Sequence, residues 1–202
     1  AFPGLGFSLG YRYRSPVIIL ADAFLGQLKE DIEFPAIPRE KPETPWATTG
    51  ARGAERHVVA SLHLDFADQS AHAEHLMEKF GKIEGAEQRY EAYETDDADV
   101  VLVAYGISSR LCRHAVNVLR SGGVRAGLLR PITLWPFPAE GVRKLLEKGV
   151  DRFVVVELNN GQMFQDVKLA VEGRATVGYV RKLGGLLPGS AEVVSRVEAM
   201  AP

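Results

Sequence analysis

The sequence predicts an α/β fold with a mainly parallel open sheet and flanking helices. Four short apolar runs rich in β-branched residues fit strands that are buried on both faces of a parallel sheet. They lie at residues 99–104, 124–129, 152–158 and 175–180. Apolar residues at helical spacing fill the gaps between these runs. Strand and helix therefore alternate, which is the pattern of parallel strands joined by right-handed crossovers.

Each predicted helix has an apolar stripe and an end signal. Gly122 and Gly123 end the first helix, Pro138 is predicted at the first helical position of the second, and Ser190 at the N-cap of the last. The predicted inward residues are, helix by helix, Leu111, Ala115, Val118 and Leu119; Val142, Leu145 and Leu146; Phe164, Val167 and Val171; and Val193, Val194 and Val197. These elements together predict one domain at residues 96–202.

The first half of the chain is less regular. Residues 15–21 (SPVIILA) predict one more buried strand, and residues 70–94 carry a charged helical pattern. Four of the eleven prolines fall in residues 35–45, which predicts an extended linker because proline lacks the N–H donor and resists helix. Residues 1–34 are too short to bury a sheet of their own. We therefore expect them to be the tail of an upstream α/β domain.

Composition narrows the function classes. The 202 residues carry 24 basic and 26 acidic side chains, so no basic surplus points to nucleic acid or to an anionic membrane. No apolar stretch approaches the roughly 20 residues that span a bilayer. The one cysteine cannot form an internal disulfide, a Cys-x-x-Cys zinc site or an iron–sulfur cluster, and a single reduced thiol predicts a cytoplasmic protein.

Ligands of open parallel sheets meet the carboxyl ends of the strands, so the residues there are the candidate site. The candidates are Gly106, Ser108, Ser109 and Arg110 after the first predicted strand; Arg130, Trp135 and Phe137 after the second; and Glu157, Asn159 and Gln162 after the third. The sequence shows no acid–base pair, Walker loop or nucleophile elbow there. We predict a sheet-edge or interface surface, with no catalytic residue and no metal ligand.

Each candidate group has more than one interpretation. Residues 106–110 could bind an anion through helix N–H groups, or Ser108 or Ser109 could simply cap the helix. The three polar residues after the third strand could bind a polar ligand, or could cap a helix within a hydrogen-bond network. The two aromatic residues could line a pocket, or could pack against another domain or subunit. Arg130 could pair with an acidic group, with substrate or with a CoA phosphate.

Two other patterns suggest chemistry less strongly. His72 and His75 share a helical face and could hold a metal with a third ligand, or could be solvated surface histidines. Cys112 could be a nucleophile, but a half-buried structural thiol is the simpler interpretation.

Five segments in order resemble the alpha subunit of 2-oxoacid:ferredoxin oxidoreductases, of the type for 2-oxoisovalerate or 2-oxoglutarate. They are SPVIILADAFLGQ, the proline-rich linker, YEAYETDDADVVLVAYGISSR, GLLRPITLWPFP and VVVELNNGQMFQDV. The resemblance covers nearly the whole chain and is weakest at residues 46–70. It implies the tail of a thiamine pyrimidine-binding domain at residues 1–34, a linker and helical connection at 35–95, and a transketolase C-terminal-like domain at 96–202.

The resemblance also implies a function. The family decarboxylates a 2-oxo acid on thiamine diphosphate with magnesium, passes two electrons through an iron–sulfur cluster to ferredoxin, and releases an acyl-CoA. The expected substrate is 2-oxoisovalerate. The expected partners are a beta subunit that binds thiamine diphosphate, gamma and delta subunits or domains, and ferredoxin, in a dimer of heteromers.

Several family features are missing from this sequence. The glutamate that activates the thiamine pyrimidine is expected upstream of Ala1, the Gly-Asp-Gly motif with its paired asparagines is missing, and no cluster cysteines are present. Asn159 and Asn160 lack the context of that motif. We therefore expect this chain to be an inactive fragment on its own, one that docks subunits and shapes the edge of the active site.

Two other interpretations compete with this one. The chain could be a non-catalytic assembly module, or the transketolase-like domain of a lipoyl-linked 2-oxoacid dehydrogenase beta chain. The segment RPITLWPFP argues against the second, because other residues are expected at that loop.

Overall fold

The computed structural model describes residues 2–31, 33, 44–50, 53, 55–60 and 62–200. The proline-rich linker predicted at residues 35–45 lies outside the described residues apart from residues 44 and 45. The chain divides into two units. One comprises Ala1–Ala21 with Leu28–Ile83, and the other comprises Asp22–Gln27 with Glu84–Pro202.

The second unit contains a five-stranded sheet. Its strands are β1 (Tyr90–Tyr93), β2 (Val100–Ala104), β3 (Ala126–Pro131), β4 (Arg152–Glu157) and β5 (Thr176–Arg181). The order across the sheet is β1-β3-β2-β4-β5. All pairs among β2 to β5 are parallel, and only β1 runs antiparallel to its neighbour β3. The predicted mainly parallel open sheet is confirmed, and each of its four predicted strands is present with shifts of one or two residues at the ends.

Seven helices lie in the described residues. Three belong to the first half of the chain: α1 (Phe2–Tyr13), α2 (Ala23–Gln27) and α3 (Phe66–Ala86). The other four follow the parallel strands, and they are α4 (Gly106–Ser121), α5 (Ala139–Glu147), α6 (Gln162–Val171) and α7 (Ser190–Glu198). Two predicted starts are shifted by one position, because Pro138 is the N-cap of α5 and Gly189, not Ser190, is the N-cap of α7. None of the helices in the described residues is long and apolar enough to span a membrane.

The sheet is covered on both faces, as its continuous apolar strands require. Alternate residues of β2 point to opposite faces, so Val100 and Leu102 pack toward α4 and α7, while Val101 and Val103 pack toward α5 and α6. The inner stripe of α4 is Cys112, Ala115, Val116 and Leu119. The predicted inward Val118 is instead exposed, because the stripe follows the i, i+3, i+4, i+7 phase that begins at Cys112.

Strand β1 corrects the prediction that residues 70–94 are one helix. Helix α3 ends at Ala86, and Tyr90–Tyr93 pairs with β3 from Tyr90↔Pro131 to Tyr93↔Leu128. Tyr90 has the same helical phase as Ile83, so the local pattern favours helix, and only pairing with β3 makes it a strand. The sheet therefore begins before residue 96, the boundary that the sequence suggests.

The predicted buried strand at residues 15–21 is wrong for the described chain. This segment forms no strand in the described part of the chain, and Ile18 is 79% exposed. Its β-branched sequence favours extended backbone, whereas burial requires a neighbouring sheet. The assignment of residues 1–34 to a pyrimidine-binding domain stays a prediction.

Cys112 lies in the core between α4 and the sheet, fully buried and not half-buried. Burial in apolar surroundings raises the pKa of its thiol well above the ordinary value. We expect a disulfide reagent to label the folded chain at least roughly a hundredfold more slowly than the chain in denaturant, because only the exposed thiolate reacts. Thiol labelling followed by absorbance measures this. Labelling in native buffer at the rate of a free thiol would contradict the buried placement.

Candidate functional site

The candidate site lies where the sheet changes its direction of winding. Strands β2 and β4 are neighbours, but α4 leads from β2 to β3 on one side, and α6 leads from β4 to β5 on the other. Such a switch point opens a crevice at the carboxyl ends of the two strands. Tyr105 directly follows β2, and Asn159 comes two residues after the end of β4.

Glu157 is the last residue of β4 and caps the helix that follows. Its side chain is 1% exposed, and its carboxylate accepts hydrogen bonds from the backbone N–H of Met163 and of Phe164, each at 3.1 Å. These are first-turn donors of α6 that have no partner within the helix. The negative charge also lies at the positive end of the helix dipole. The geometry of Glu157 is therefore that of a helix cap.

Asn159 connects the two sides of the switch point. Its amide nitrogen donates to the Tyr105 hydroxyl at 2.9 Å, and its side-chain oxygen accepts from the N–H of Gly161 at 2.9 Å. Gln162, which begins α6 and is exposed, also donates its backbone N–H to that oxygen at 3.3 Å. The Tyr179 hydroxyl of β5 donates to the Asn159 carbonyl at 3.1 Å. The structure thus brings together the predicted Asn159 and two tyrosines above the sheet.

Both tyrosines keep their protons to higher pH than usual. Burial is the main cause, and the nearby negative charge of Glu157 adds to it, so the pKa of Tyr105 is raised and that of Tyr179 is raised to about 12. The protonated Tyr179 is also the form that can donate to Asn159.

We expect an alkaline titration to reveal Tyr179 as a late-ionising tyrosine. A raised pKa means that the folded state holds the proton more tightly, so this stabilisation is present below pH 10 and is lost as pH rises from about 10 to about 12. The ionisation is measured as the increase in tyrosinate absorbance at about 295 nm. Tyr179→Phe removes the latest-ionising component, and an unchanged curve in that variant would contradict the assignment.

The start of α4 is capped from far away in sequence. The Ile107 N–H donates to Oδ2 of Asp22 at 2.8 Å, and the N-cap residue Tyr105 makes no side-chain cap. Ser108 and Ser109 are both buried, and the Ser109 hydroxyl donates to the Gly106 carbonyl at 2.7 Å instead of capping. The predicted serine cap is therefore wrong. Arg110 lies on the exposed side of the same helix.

Arg130 pairs with an acidic group of this chain. Its Nη1 lies 2.6 Å from Oε2 of Glu91, which is its direct partner across the β1–β3 pair. Arg113 approaches the other oxygen of the same carboxylate at 3.9 Å. Antiparallel neighbours of opposite charge interact in this way on the surface of a sheet. Of the interpretations of Arg130, pairing with an acid is the one that the geometry shows.

The two aromatic residues of the 132–138 loop separate. Phe137 is half-buried and packs on the core face that carries α5 and α6, whereas Trp135 is 56% exposed. Leu134 beside it is also exposed. The two aromatic residues therefore lie in different surroundings, and their interface role stays a prediction.

Side chains that could hold a metal ion do not form a cluster in the described residues. In the part of the chain that the structure describes, no group of three or more His, Cys, Asp or Glu side chains could hold a metal ion. The His72 ring stacks on His63 with centroids 4.5 Å apart, and no third ligand joins His72 and His75 among these residues.

Three further residues contribute to this edge, and the sequence does not predict their roles. Tyr179 lies inside β5 and not after it, and Glu91 lies in the strand that was expected to be helix. Asp22 precedes the short segment AFLGQ, a spacing that indicates an N-cap for that segment. Nothing local indicates its bond to residue 107.

A family model describes part of this chain. Residues 98–193 match the family "Pyruvate:ferredoxin oxidoreductase core domain II". The matched segment begins just before β2 and ends within α7, so it contains the whole parallel part of the sheet.

Curated relatives match almost the whole chain. The ketoisovalerate oxidoreductase subunit VorB of Methanothermobacter marburgensis is 44% identical over 196 residues, which are 96% of this chain and 55% of the relative. The 2-oxoglutarate synthase subunit KorA of the same organism is 29% identical over 221 residues, covering 96% of this chain and 59% of the relative. The chain thus spans somewhat more than half the length of these relatives.

A solved structure shares the fold. The 2-oxoglutarate:ferredoxin oxidoreductase from Magnetococcus marinus, solved with 2-oxoglutarate, coenzyme A and succinyl-CoA bound, aligns with a TM-score of 0.59 and 18% identity. The alignment covers 76% of this chain and 28% of that one.

Proposed function

Because its relatives and its matching domain family indicate a 2-oxoacid:ferredoxin oxidoreductase subunit, we propose that the protein acts in the oxidative decarboxylation of a 2-oxo acid to an acyl-CoA. In this proposal it is the alpha subunit, works in the cytoplasm, and passes its electrons to ferredoxin. Beta and gamma or delta subunits complete the assembly as a dimer of heteromers.

The proposed substrate is 2-oxoisovalerate. The observation that carries it is the difference in identity, 44% to a ketoisovalerate oxidoreductase subunit against 29% to a 2-oxoglutarate synthase subunit over the same share of this chain.

The proposed role of this chain is to dock subunits or domains and to shape the edge of the active site. The carboxylates at the switch point support this role, because Asp22 and Glu157 both accept backbone N–H groups at the starts of helices. Thiamine diphosphate, magnesium and the iron–sulfur cluster would be held by other parts of the complex, and CoA would enter as a co-substrate. Trp135, exposed on its loop, is the proposed contact residue.

Turnover of the assembled complex tests the proposal. The gene is co-expressed with its genomic neighbours, and CoA-dependent reduction of a viologen dye is followed with 2-oxoisovalerate, 2-oxoglutarate, pyruvate and an aryl pyruvate in turn. Fastest reduction with 2-oxoisovalerate is expected. Fastest reduction with another acid would support the family chemistry but rule out 2-oxoisovalerate as the preferred substrate. If an assembled complex that holds thiamine diphosphate and the cluster reduces the dye with none of these acids, the proposed reaction is wrong.

A matched pair of variants tests a role for Arg130 beyond its pairing. If Arg130 also contacts CoA or substrate, Arg130→Ala raises the KM for that ligand and Glu91→Ala does not. If the cross-strand pair is its only role, the two variants behave alike, since each removes the same ion pair.

A further inference from the structure

One carboxylate contacts the first turns of two helices. Oδ1 of Asp22 accepts the Leu25 N–H at 2.8 Å, and this bond caps α2. Oδ2 of the same side chain accepts the Ile107 N–H of α4, also at 2.8 Å. The two bonds span 3 and 85 residues of sequence. A single half-buried side chain thus joins the start of a local helix to the start of a distant one.

The start of α4 is shaped to receive this side chain. Tyr105 cannot cap the helix, and Gly106 has a φ of +58°, a conformation that glycine adopts at little cost. A Cβ atom on Gly106 would lie 2.5 Å from Oδ2 of Asp22. Because glycine has no side chain, the carboxylate of Asp22 can approach the Ile107 N–H.

The segment around Asp22 is also set apart from its neighbours in sequence. Asp22–Gln27 belongs to the unit of the sheet, whereas the residues on both sides of it, Ala1–Ala21 and Leu28–Ile83, belong to the other unit. Asp22 is the first residue of this segment, and it provides both bonds that fix the segment's start.

We propose that Asp22 is a positioning residue that docks residues 22–27 onto the sheet unit by capping α2 and α4 at the same time. The segment is an intramolecular ligand of the α4 N-terminus, and the Asp22 carboxylate takes the position that an anion would otherwise occupy there. Both oxygens are needed, because each serves a different helix.

Backbone amide exchange in the whole chain tests the two-oxygen requirement. Asparagine has the shape of aspartate but only one acceptor oxygen on its side chain. In Asp22→Asn we therefore expect the exchange of one of the two amides, Leu25 or Ile107, to accelerate roughly tenfold while the other stays near wild type. In Asp22→Ala both should accelerate.

Asp65 provides the matched control. A single oxygen, Oδ1, accepts both the Ala67 and the Asp68 N–H at the start of α3, at 2.9 and 3.2 Å. Asp65→Asn keeps that oxygen, so the exchange of both amides should be unchanged. Two-dimensional amide spectra recorded during exchange into deuterated buffer measure all four amides.

Three outcomes decide the proposal. The split response in Asp22→Asn with no response in Asp65→Asn supports it. An Ile107 amide that exchanges in Asp22→Ala as in wild type would show that Asp22 does not hold α4. Two amides that both stay protected in Asp22→Asn would show that one oxygen is enough, which overturns the double cap without requiring that the alanine variant fold.

Discussion

Replacing Glu157 with alanine should lower the free energy of unfolding of the sheet unit by about 3 kcal/mol. The substitution removes the carboxylate that accepts the first-turn N–H groups of Met163 and Phe164, and it does so where the side chain is 1% exposed. A buried N–H left without an acceptor costs most of its desolvation free energy, and water reaches such a site poorly. Urea unfolding followed by circular dichroism measures the loss.

Glutamine at the same position separates shape from charge. Glu157→Gln keeps the volume and one acceptor oxygen, so we expect a smaller loss of about 1 to 2 kcal/mol. The variant also removes a negative charge near Tyr179, and the pKa of Tyr179 should fall from about 12 toward its ordinary value. A tolerated alanine together with an unmoved Tyr179 pKa would contradict both roles of Glu157.

Phe153→Ala should cost about 3 to 5 kcal/mol, the largest effect of any single truncation that we predict. Phe153 lies near the start of β4, at the opposite end of the strand from Glu157. It is fully buried and packs in the core face formed with α5 and α6. Its loss removes apolar burial and also leaves a cavity, because the central strands hold the surrounding backbone in place.

Two further variants serve as controls for Phe153→Ala. Phe153→Leu retains most of the apolar contact and should cost about 1 kcal/mol. Leu169→Ala removes a similar apolar group from a helix position that is 75% exposed, and should stay within about 0.5 kcal/mol of wild type. Cys112 labelling reports unfolding of the sheet unit specifically. An effect of Phe153→Ala no larger than that of Leu169→Ala would contradict the core placement.

The parallel part of the sheet could be predicted because its strands are buried on both faces. Strands β2 and β4 are nearly continuous apolar runs, and few other structures place such runs between amphipathic helices. Strand β1 could not be predicted, because YEAY has no apolar run and continues the phase of the preceding helix. Its conformation is decided by the antiparallel ladder with β3, whose residues are distant in sequence (Tyr90 pairs with Pro131 and Tyr93 with Leu128).

The candidate site was predictable only where its contacts are local. The capping bonds of Glu157 and Asn159 reach residues within seven positions in sequence, so their place after a strand and before a helix was enough to suggest capping. The bonds that join Asn159 to Tyr105 and Tyr179 are not local, and the sequence did not indicate them. Asp22 bonds to Ile107 and Arg130 to Glu91, and such partners depend on the tertiary fold. The serine cap failed for the same reason, since a distant carboxylate already holds the position that a serine would serve.

The bond between Asp22 and Ile107 has a consequence for synthesis on the ribosome. The 85 residues between them take roughly 4 to 17 s to translate. During that interval Asp22 can cap only its own short helix, since the amide of Ile107 has not yet been made. A five-residue helix is marginal without tertiary support. The segment Ala23–Gln27 of the nascent chain therefore lacks its anchor on α4 until that helix emerges from the ribosome.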